Sequence, residues 1–136
     1  MKTGDEGIKL IKLSEGLSMD AYQDQGGIWT IGYGHITGVH EGVHITEDQA
    51  DMLLQADLEH VENALNRLVP PDCTQNQFDA LADFGFNLGT RALETLLSHG
   101  WDQVPSQLPR WNHVAGKVSN GLSVRRSREV ELFNRE

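Results

Sequence analysis

Residues 15–35 read EGLSMDAYQDQGGIWTIGYGH, and this stretch changes character twice along its length. It starts with Glu15 at the end of an apolar helical pattern and continues into residues that favour strands. Gly26 and Gly27 interrupt the strand-forming run with the composition of a hairpin turn. The strand formers are Tyr22, Ile28, Trp29, Thr30, Ile31 and Tyr33. The stretch therefore predicts a small β-hairpin or meander directly after a helix.

The helix before this stretch is indicated by apolar residues at spacings of three and four. They are Ile8, Leu10, Ile11, Leu13 and Leu17. The pattern predicts a short amphipathic helix that stops near Gly16, with Glu15 on its last turn. Farther along the hairpin, Gly32 and Gly34 would weaken an ordinary strand. Their presence indicates a bend or a close approach of the backbone to another group.

The clearest helix in the sequence follows the hairpin. Thr46 and Gln49 have the spacing of a capping box, and apolar residues then recur at intervals of four and three. These are Leu54, Leu58, Val61, Leu65 and Leu68. Pro70 and Pro71 end this helix. The sequence thus predicts a long helix over residues 46–69.

The rest of the chain has the pattern of a helical body. Thr74 is placed to cap a third helix that contains Phe78, Leu81, Ala82 and Phe86. Further short helices are predicted in residues 90–136, around Leu93, Leu96, Leu97, Trp111, Leu132 and Phe133. With the hairpin near the start, the predicted fold class is α+β.

Length and composition limit the class of protein. A chain of 136 residues is long enough to bury a core as one domain. No segment approaches the roughly 18 uncharged apolar residues of a membrane span, and charges interrupt the N-terminal apolar residues, unlike a secretory signal. We expect synthesis in a cytoplasm and no stable membrane insertion. The single cysteine, Cys73, has no internal disulfide partner and is expected to be passive.

Charge is distributed unevenly along the chain. Residues 1–109 carry five Lys or Arg against seventeen Asp or Glu, while residues 110–136 carry six against three. The net charge of −9 disfavours nonspecific binding to nucleic acid, which depends on neutralising phosphates. The basic cluster Arg125, Arg126 and Arg128 has an ordinary explanation as the solvated face of a helix.

Glu15, Asp24 and Thr30 form the first candidate site. Cleavage of a glycosidic bond commonly uses one carboxyl group that protonates the leaving oxygen and a second, ionised one that activates water or attacks the sugar. A glutamate at a helix end and an aspartate on a hairpin are the right kinds of group for these two tasks. Spacing alone also fits ordinary surface acids in an acidic chain.

Three other patterns in the sequence have ordinary structural explanations. His35, His40 and His44 lie among glutamates but lack the helical spacing of a zinc motif, so His35 is expected to hold the hairpin and the other two to be exposed. Gly32 and Gly34 lack the third glycine of a dinucleotide-binding loop. The aromatic residues Trp29, Trp101, Trp111, Tyr22 and Tyr33 suit either sugar stacking or core packing, and core packing is the default.

Taken in order, several motifs resemble the phage-type lysozymes, the endolysins of glycoside hydrolase family 24. They are EGL at 15–17, AYxD at 21–24, WTIGYGH at 29–35, ITExQA at 45–50, QNQFDAL at 75–81, FNLG at 86–89, RWN at 110–112 and GLxxRRxxExxLF at 121–133, where x stands for any residue. The resemblance covers nearly the whole chain. The segment 90–109 is shorter than the common family pattern, and the acidic body is unusual for an enzyme that attacks an anionic wall.

The resemblance implies a fold and a site. The fold is a lysozyme-like single domain: a β lobe with the first helix (1–45), a connecting helix (46–69) and a helical lobe (70–136), with a cleft between the lobes. Glu15, Asp24 and Thr30 match the family's catalytic triad, as general acid, ionised partner and water-positioning hydroxyl. Arg125 matches an arginine that pairs with the glutamate. The implied substrate-binding residues are Tyr33, Gly34, His35, Asn87 and Arg125.

The implied activity is an N-acetylmuramidase that hydrolyses the β-1,4 bond between N-acetylmuramic acid and N-acetylglucosamine in peptidoglycan, without a cofactor or metal. The implied protein is a monomer made in the host cytoplasm, with a holin-type pore to release it to the wall. Two rivals stay open. A noncatalytic glycan-binding module is opposed by the intact triad, and a transglycosylase would leave anhydro sugar ends.

Overall fold

Six helices and two small hairpins make up the chain, whose computed structural model describes residues 1–136. The elements are α1 (Asp5–Glu15), β1 (Ser18–Gln23), β2 (Trp29–Gly32), α2 (Glu47–Leu68), α3 (Gln75–Leu88), α4 (Thr90–Leu97), α5 (Val104–Gln107), β3 (His113–Val114), β4 (Lys117–Val118) and α6 (Asn120–Asn134). Turns of 3₁₀ helix occupy Trp101–Gln103 and Leu108–Arg110. The α+β class predicted from the sequence is confirmed. No helix has both the length and the apolar character to cross a membrane.

The first hairpin is the predicted meander. β1 and β2 pair antiparallel, with Tyr22 opposite Thr30, and Gly27 in the turn has a φ of +80°. A third segment lies along the other edge of β1, because the Ala21 N–H donates to the Val43 carbonyl at 3.0 Å. The sequence signals for this lobe were local, which is why the turn and both strands were predictable.

The two longest predicted helices begin at their expected caps. Thr46 at the start of α2 and Thr74 at the start of α3 each complete a capping box with the glutamine three residues on. The apolar stripe of α2 is buried at Leu54, Leu58, Val61 and Leu65. Burial of each such side chain stabilises the fold by about 1.5–3 kcal/mol.

The first helix packs against α3 of the helical body, and its last turns also lie close to the residues after β2, with the Lys12 ammonium 5.1 Å from the centre of the Tyr33 ring. Asp79, a buried carboxylate on α3, holds the start of α1. It accepts hydrogen bonds from the N–H groups of Gly4 at 2.8 Å and Gly7 at 3.1 Å, at the start of α1. Leu13 is 65% exposed, so the buried face of α1 is narrower than the pattern indicated.

The C-terminal third differs most from expectation. Residues 113–118 form a second hairpin, and α6 is 15 residues long, whereas the sequence predicted only short helices here. α6 packs against α3, and it buries Arg125 and Arg126 while Arg128 stays exposed. The solvated-face explanation of this basic cluster therefore holds only for Arg128. Nearby, Trp111 packs its ring edge against Phe84 at a centroid distance of 5.5 Å.

Candidate active site

A groove of about 380 Å³ lies between the turn after β2 and the helical body. Glu15 at the end of α1 and Gly34 in the turn form part of one wall, and α2 contributes Asp57 and His60. Asn87 at the end of α3 lines the opposite side. With Thr90 at the start of α4, five elements meet here, so an extended ligand in the groove would contact both lobes.

Glu15 enters the groove because α1 ends there. The next residue, Gly16, has a φ of +72°, and this left-handed turn sends the chain away into β1. The Glu15 side chain is 22% exposed, and its Oε2 accepts a hydrogen bond from Arg125. A Cβ added to Gly34 would lie 3.1 Å from Glu15 Oε1. Arg125 thus holds Glu15 at Oε2, and the backbone of Gly34 lies close to Oε1.

Arg125 joins Glu15 to a second carboxylate. Its Nε donates to Asp83 Oδ2 at 3.0 Å and its Nη2 donates to Asp83 Oδ1 at 2.8 Å. Burial lowers the pKa of the guanidinium, but hydrogen bonding and charge attraction by Asp83, followed by Glu15, more than offset burial and raise this pKa above its usual value. Arg125 is therefore a permanent cation that contacts Glu15 without itself lining the groove.

Asp24 and Thr30 lie on the hairpin, and neither is among the residues that line this groove. Asp24 Oδ1 accepts hydrogen bonds from the N–H groups of Gly26 at 2.8 Å and Ile28 at 2.9 Å. The buried Thr30 hydroxyl donates to the Ile28 carbonyl at 3.0 Å. Both side chains are thus fixed by the backbone of the turn, and neither Asp24 Oδ2 nor the Thr30 hydroxyl oxygen accepts a hydrogen bond from the protein.

Of the five residues predicted to bind substrate, Gly34 and Asn87 line the groove, whereas Tyr33, His35 and Arg125 do not. Tyr33 is instead a core residue, only 6% exposed, with the Lys12 ammonium 5.1 Å from its ring centre. His35 uses both ring nitrogens within the protein, contacting Asp57 Oδ2 at 2.8 Å and the Thr37 carbonyl at 2.9 Å. Tyr33 and His35 therefore shape the wall of the groove from behind.

A second arginine pair lies beside the first. Arg126 Nη2 donates to Asn87 Oδ1 at 2.7 Å and to Glu129 Oε2 at 2.9 Å. Both Arg126 and Glu129 are fully buried. The hydrogen bond from Arg126 holds the Asn87 side chain at the groove.

Sequence reasoning missed Asp83, Asp57 and Arg126 as parts of the site. Asp83 lies in the run FDALADFGF, where a carboxylate among apolar helical residues is a signal of a buried partner. No local pattern identifies that partner, because Arg125 is 42 residues away. His40 and His44, by contrast, are exposed as expected. No group of three or more His, Cys, Asp or Glu side chains is arranged to hold a metal ion.

A small β-hairpin lobe, a long helix and a helical body, with a glutamate at a groove between them, define a lysozyme-like α+β protein. The phage lysozyme family model matches residues 12–129 of the chain. The chain therefore belongs to the phage lysozyme family.

Individual relatives agree with this assignment. The endolysin of Bacillus phage B103 is 39% identical over 142 residues, which cover 98% of this chain and 54% of that protein. The chain thus spans about half the length of this relative. Among solved structures, the endolysin from Escherichia coli O157:H7 phage FAHEc1 matches with a TM-score of 0.88 and 36% identity, covering 98% of this chain and 94% of that one. The muramidase domain of SpmX from Asticaccaulis excentricus matches with a TM-score of 0.87 and 36% identity, over 99% of both chains.

Proposed function

We propose that this chain is a muramidase, which hydrolyses the β-1,4 bond between N-acetylmuramic acid and N-acetylglucosamine in peptidoglycan. The observation that carries the proposal is the position of Glu15 in the groove, held by Arg125 at one carboxylate oxygen. The phage lysozyme family match and the muramidase domain among the structural relatives support the substrate class.

Glu15 is proposed as the general acid. Its Oε2 is occupied by the Arg125 hydrogen bond, so Oε1, beside Gly34, is the oxygen that would carry the proton. In the first step this proton passes to the glycosidic oxygen as the bond from that oxygen to the anomeric carbon breaks. Arg125 keeps the carboxylate in place before and after the transfer.

Asp24 and Thr30 are proposed to handle the attacking water. Asp24 Oδ2 is available to accept a proton from water, since its two backbone hydrogen bonds go to Oδ1. The Thr30 hydroxyl donates to Ile28, so its lone pairs would accept a hydrogen bond from that same water and orient it. Both groups belong to the hairpin, and a glycan that reaches from the groove across the hairpin would meet them.

We also propose that the protein acts on glycan strands as a monomer, without a cofactor or metal, and that Gly34 and Asn87 contact the sugars. A lysozyme made in the host cytoplasm needs a route to the wall, and a holin-type pore would supply it. The bacteriolytic outcome would follow from loss of wall strength.

The test is product analysis on purified peptidoglycan by mass spectrometry. New reducing N-acetylmuramic acid ends are the expected result. Anhydro-muramic ends would indicate a transglycosylase, and binding to the wall with no cleavage would indicate a glycan-binding module. Either of these two outcomes would overturn the proposal.

A further inference from the structure

Asp83 lies behind Arg125 on the side away from the groove. It is fully buried in the middle of α3, and Arg125 on α6 has a side-chain exposure of only 8%. Two of the guanidinium nitrogens, Nε and Nη2, donate to the two Asp83 oxygens at 3.0 and 2.8 Å. The third nitrogen, Nη1, donates to Glu15.

The contact with Asp83 fixes the orientation of the Arg125 guanidinium. A guanidinium is a rigid plane, and a bidentate contact with a carboxylate sets both its position and its orientation. Once Nε and Nη2 are bound to Asp83, the direction of Nη1 is no longer free. Nη1 is the nitrogen that holds the Glu15 carboxylate in the groove.

Asp83 also maintains charge balance during the proposed reaction. When Glu15 carries the proton that it must donate, it can no longer neutralise Arg125. A buried guanidinium without a counter-ion would lower the free energy of unfolding. Glu129, the other carboxylate in this buried region, is already engaged by Arg126 at 2.9 Å. Asp83 is therefore the carboxylate that compensates Arg125 whether Glu15 is charged or neutral.

We infer that Asp83 is a positioning residue for Glu15, acting through the bidentate contact that orients Arg125. The inference rests on the proposed muramidase activity, and it extends the site to a residue that does not touch the groove. Asparagine at position 83 would offer one acceptor oxygen and turn an N–H group toward the guanidinium, so Asp83→Asn removes the bidentate contact.

A matched control exists on the same helix. Asp79 is also a buried aspartate of α3, but it accepts hydrogen bonds from Gly4 and Gly7 and anchors the start of α1. Asp79→Asn is the same chemical change at an equally buried position, one helical turn earlier. It tests whether any loss arises simply from removing a buried carboxylate.

The experiment measures kcat and KM on a soluble peptidoglycan oligosaccharide, together with the thermal midpoint of each variant. We expect both substitutions to lower the midpoint. Asp83→Asn should lower kcat about 10- to 100-fold with KM changed by less than about twofold, because the acid is displaced while sugar contacts remain. Asp79→Asn should change kcat by less than about twofold.

A double-mutant cycle tests whether Asp83 acts through Arg125. In an Arg125→Ala background, Asp83→Asn should lower kcat by less than about a further twofold, since the residue through which it acts is gone. If Asp83→Asn does not fold, Asp83→Ser, which leaves room for water beside Arg125, replaces it with the same expectation.

Three outcomes would overturn the inference. One is a kcat for the Asp83 variant equal to that of the unsubstituted protein, and another is an equal loss of kcat in the Asp79 and Asp83 variants. The third is full additivity of the Asp83 and Arg125 effects. Failure of the proposed function is distinguishable, since the unsubstituted protein would then produce no reducing ends, and the inference would fall with it.

Discussion

Arg125 Nη1 lies 2.5 Å from Glu15 Oε2, although 110 residues separate the two in the sequence. The contact joins the last helix of the chain to the end of the first. It is made at the point where α1 ends at Gly16 and the hairpin begins. Glu15, the candidate acid, is therefore held by a residue of the helical body. Asp24 and Thr30 lie on the hairpin that follows it.

Glu15→Gln is expected to reduce hydrolysis about 10²- to 10⁴-fold, because glutamine keeps the shape of the side chain and has no proton to transfer to the leaving oxygen. The measurement is release of reducing ends, with circular dichroism to verify the fold. Glu6→Gln, on the same helix but at the surface, is the control and should retain activity. Near-normal activity in a folded Glu15→Gln protein would refute the assignment of the acid.

Arg125→Ala is expected to cost about 3–5 kcal/mol of unfolding free energy, because it leaves the buried Asp83 carboxylate without its partner. Activity should fall as well, through loss of the contact with Glu15. Arg135, which caps the end of α6, has 47% of its side chain exposed. Arg135→Ala should change stability by no more than about 0.5 kcal/mol.

Chemical denaturation measures the difference between the two arginines. Equal and small effects at Arg125 and Arg135 would contradict the buried network and restore the solvated-face explanation of the basic cluster.

Gly34→Ala is expected to lower activity more than stability alone explains. Its φ is +88°, and the new methyl group would lie 3.1 Å from Glu15 Oε1, so the acid would have to move. Gly42 has the same φ of +88° with open space around it. Gly42→Ala therefore shares the backbone strain, roughly 1–2 kcal/mol, without the collision.

Comparison of kcat and thermal midpoint for these two glycine variants separates strain from displacement of the acid. If Gly34→Ala and Gly42→Ala lose stability and activity to the same extent, the close approach at Gly34 has no catalytic consequence.

The reaction is expected to invert the anomeric centre. If Asp24 were a nucleophile, its carboxylate would have to lie against the anomeric carbon, and the hydroxyl of Thr30 would have no water to hold in the first step. Direct attack by water uses both groups, and from a β-linked chain it gives α-configured reducing ends. Proton NMR of the first products, recorded before mutarotation, measures this. An initial β-anomer signal would instead require a double displacement and a different role for Thr30.

Cys73 is expected to resist alkylation in the folded protein. Burial, followed by the nearby charges of Asp72 and Asp79, raises the pKa of its thiol to about 11. At pH 8 only about one molecule in a thousand would then carry the reactive thiolate. Mass spectrometry after iodoacetamide treatment should show slow labelling of the folded protein and fast labelling in urea. Equal rates in both states would show that the folded structure does not protect this thiol.

Local sequence determined much of the fold. Capping boxes at Thr46 and Thr74 set the starts of the two long helices, since a cap needs only residues three positions apart. The glycine pair in the first turn and the strand-forming residues around it predicted the first hairpin for the same reason. Glu15, Asp24 and Thr30 were predicted as the catalytic residues from their order in one short stretch together with the family resemblance.

Tertiary structure decided the rest, because the deciding contacts join residues far apart in the chain. Asp79 holds α1 against the helical body by accepting hydrogen bonds from Gly4 and Gly7. No periodicity in residues 5–15 indicates this contact. Arg125 is a buried cation because α6 packs on α3 beside Asp83. A buried charge requires a partner in space, and sequence distance carries no information about which carboxylate that partner is.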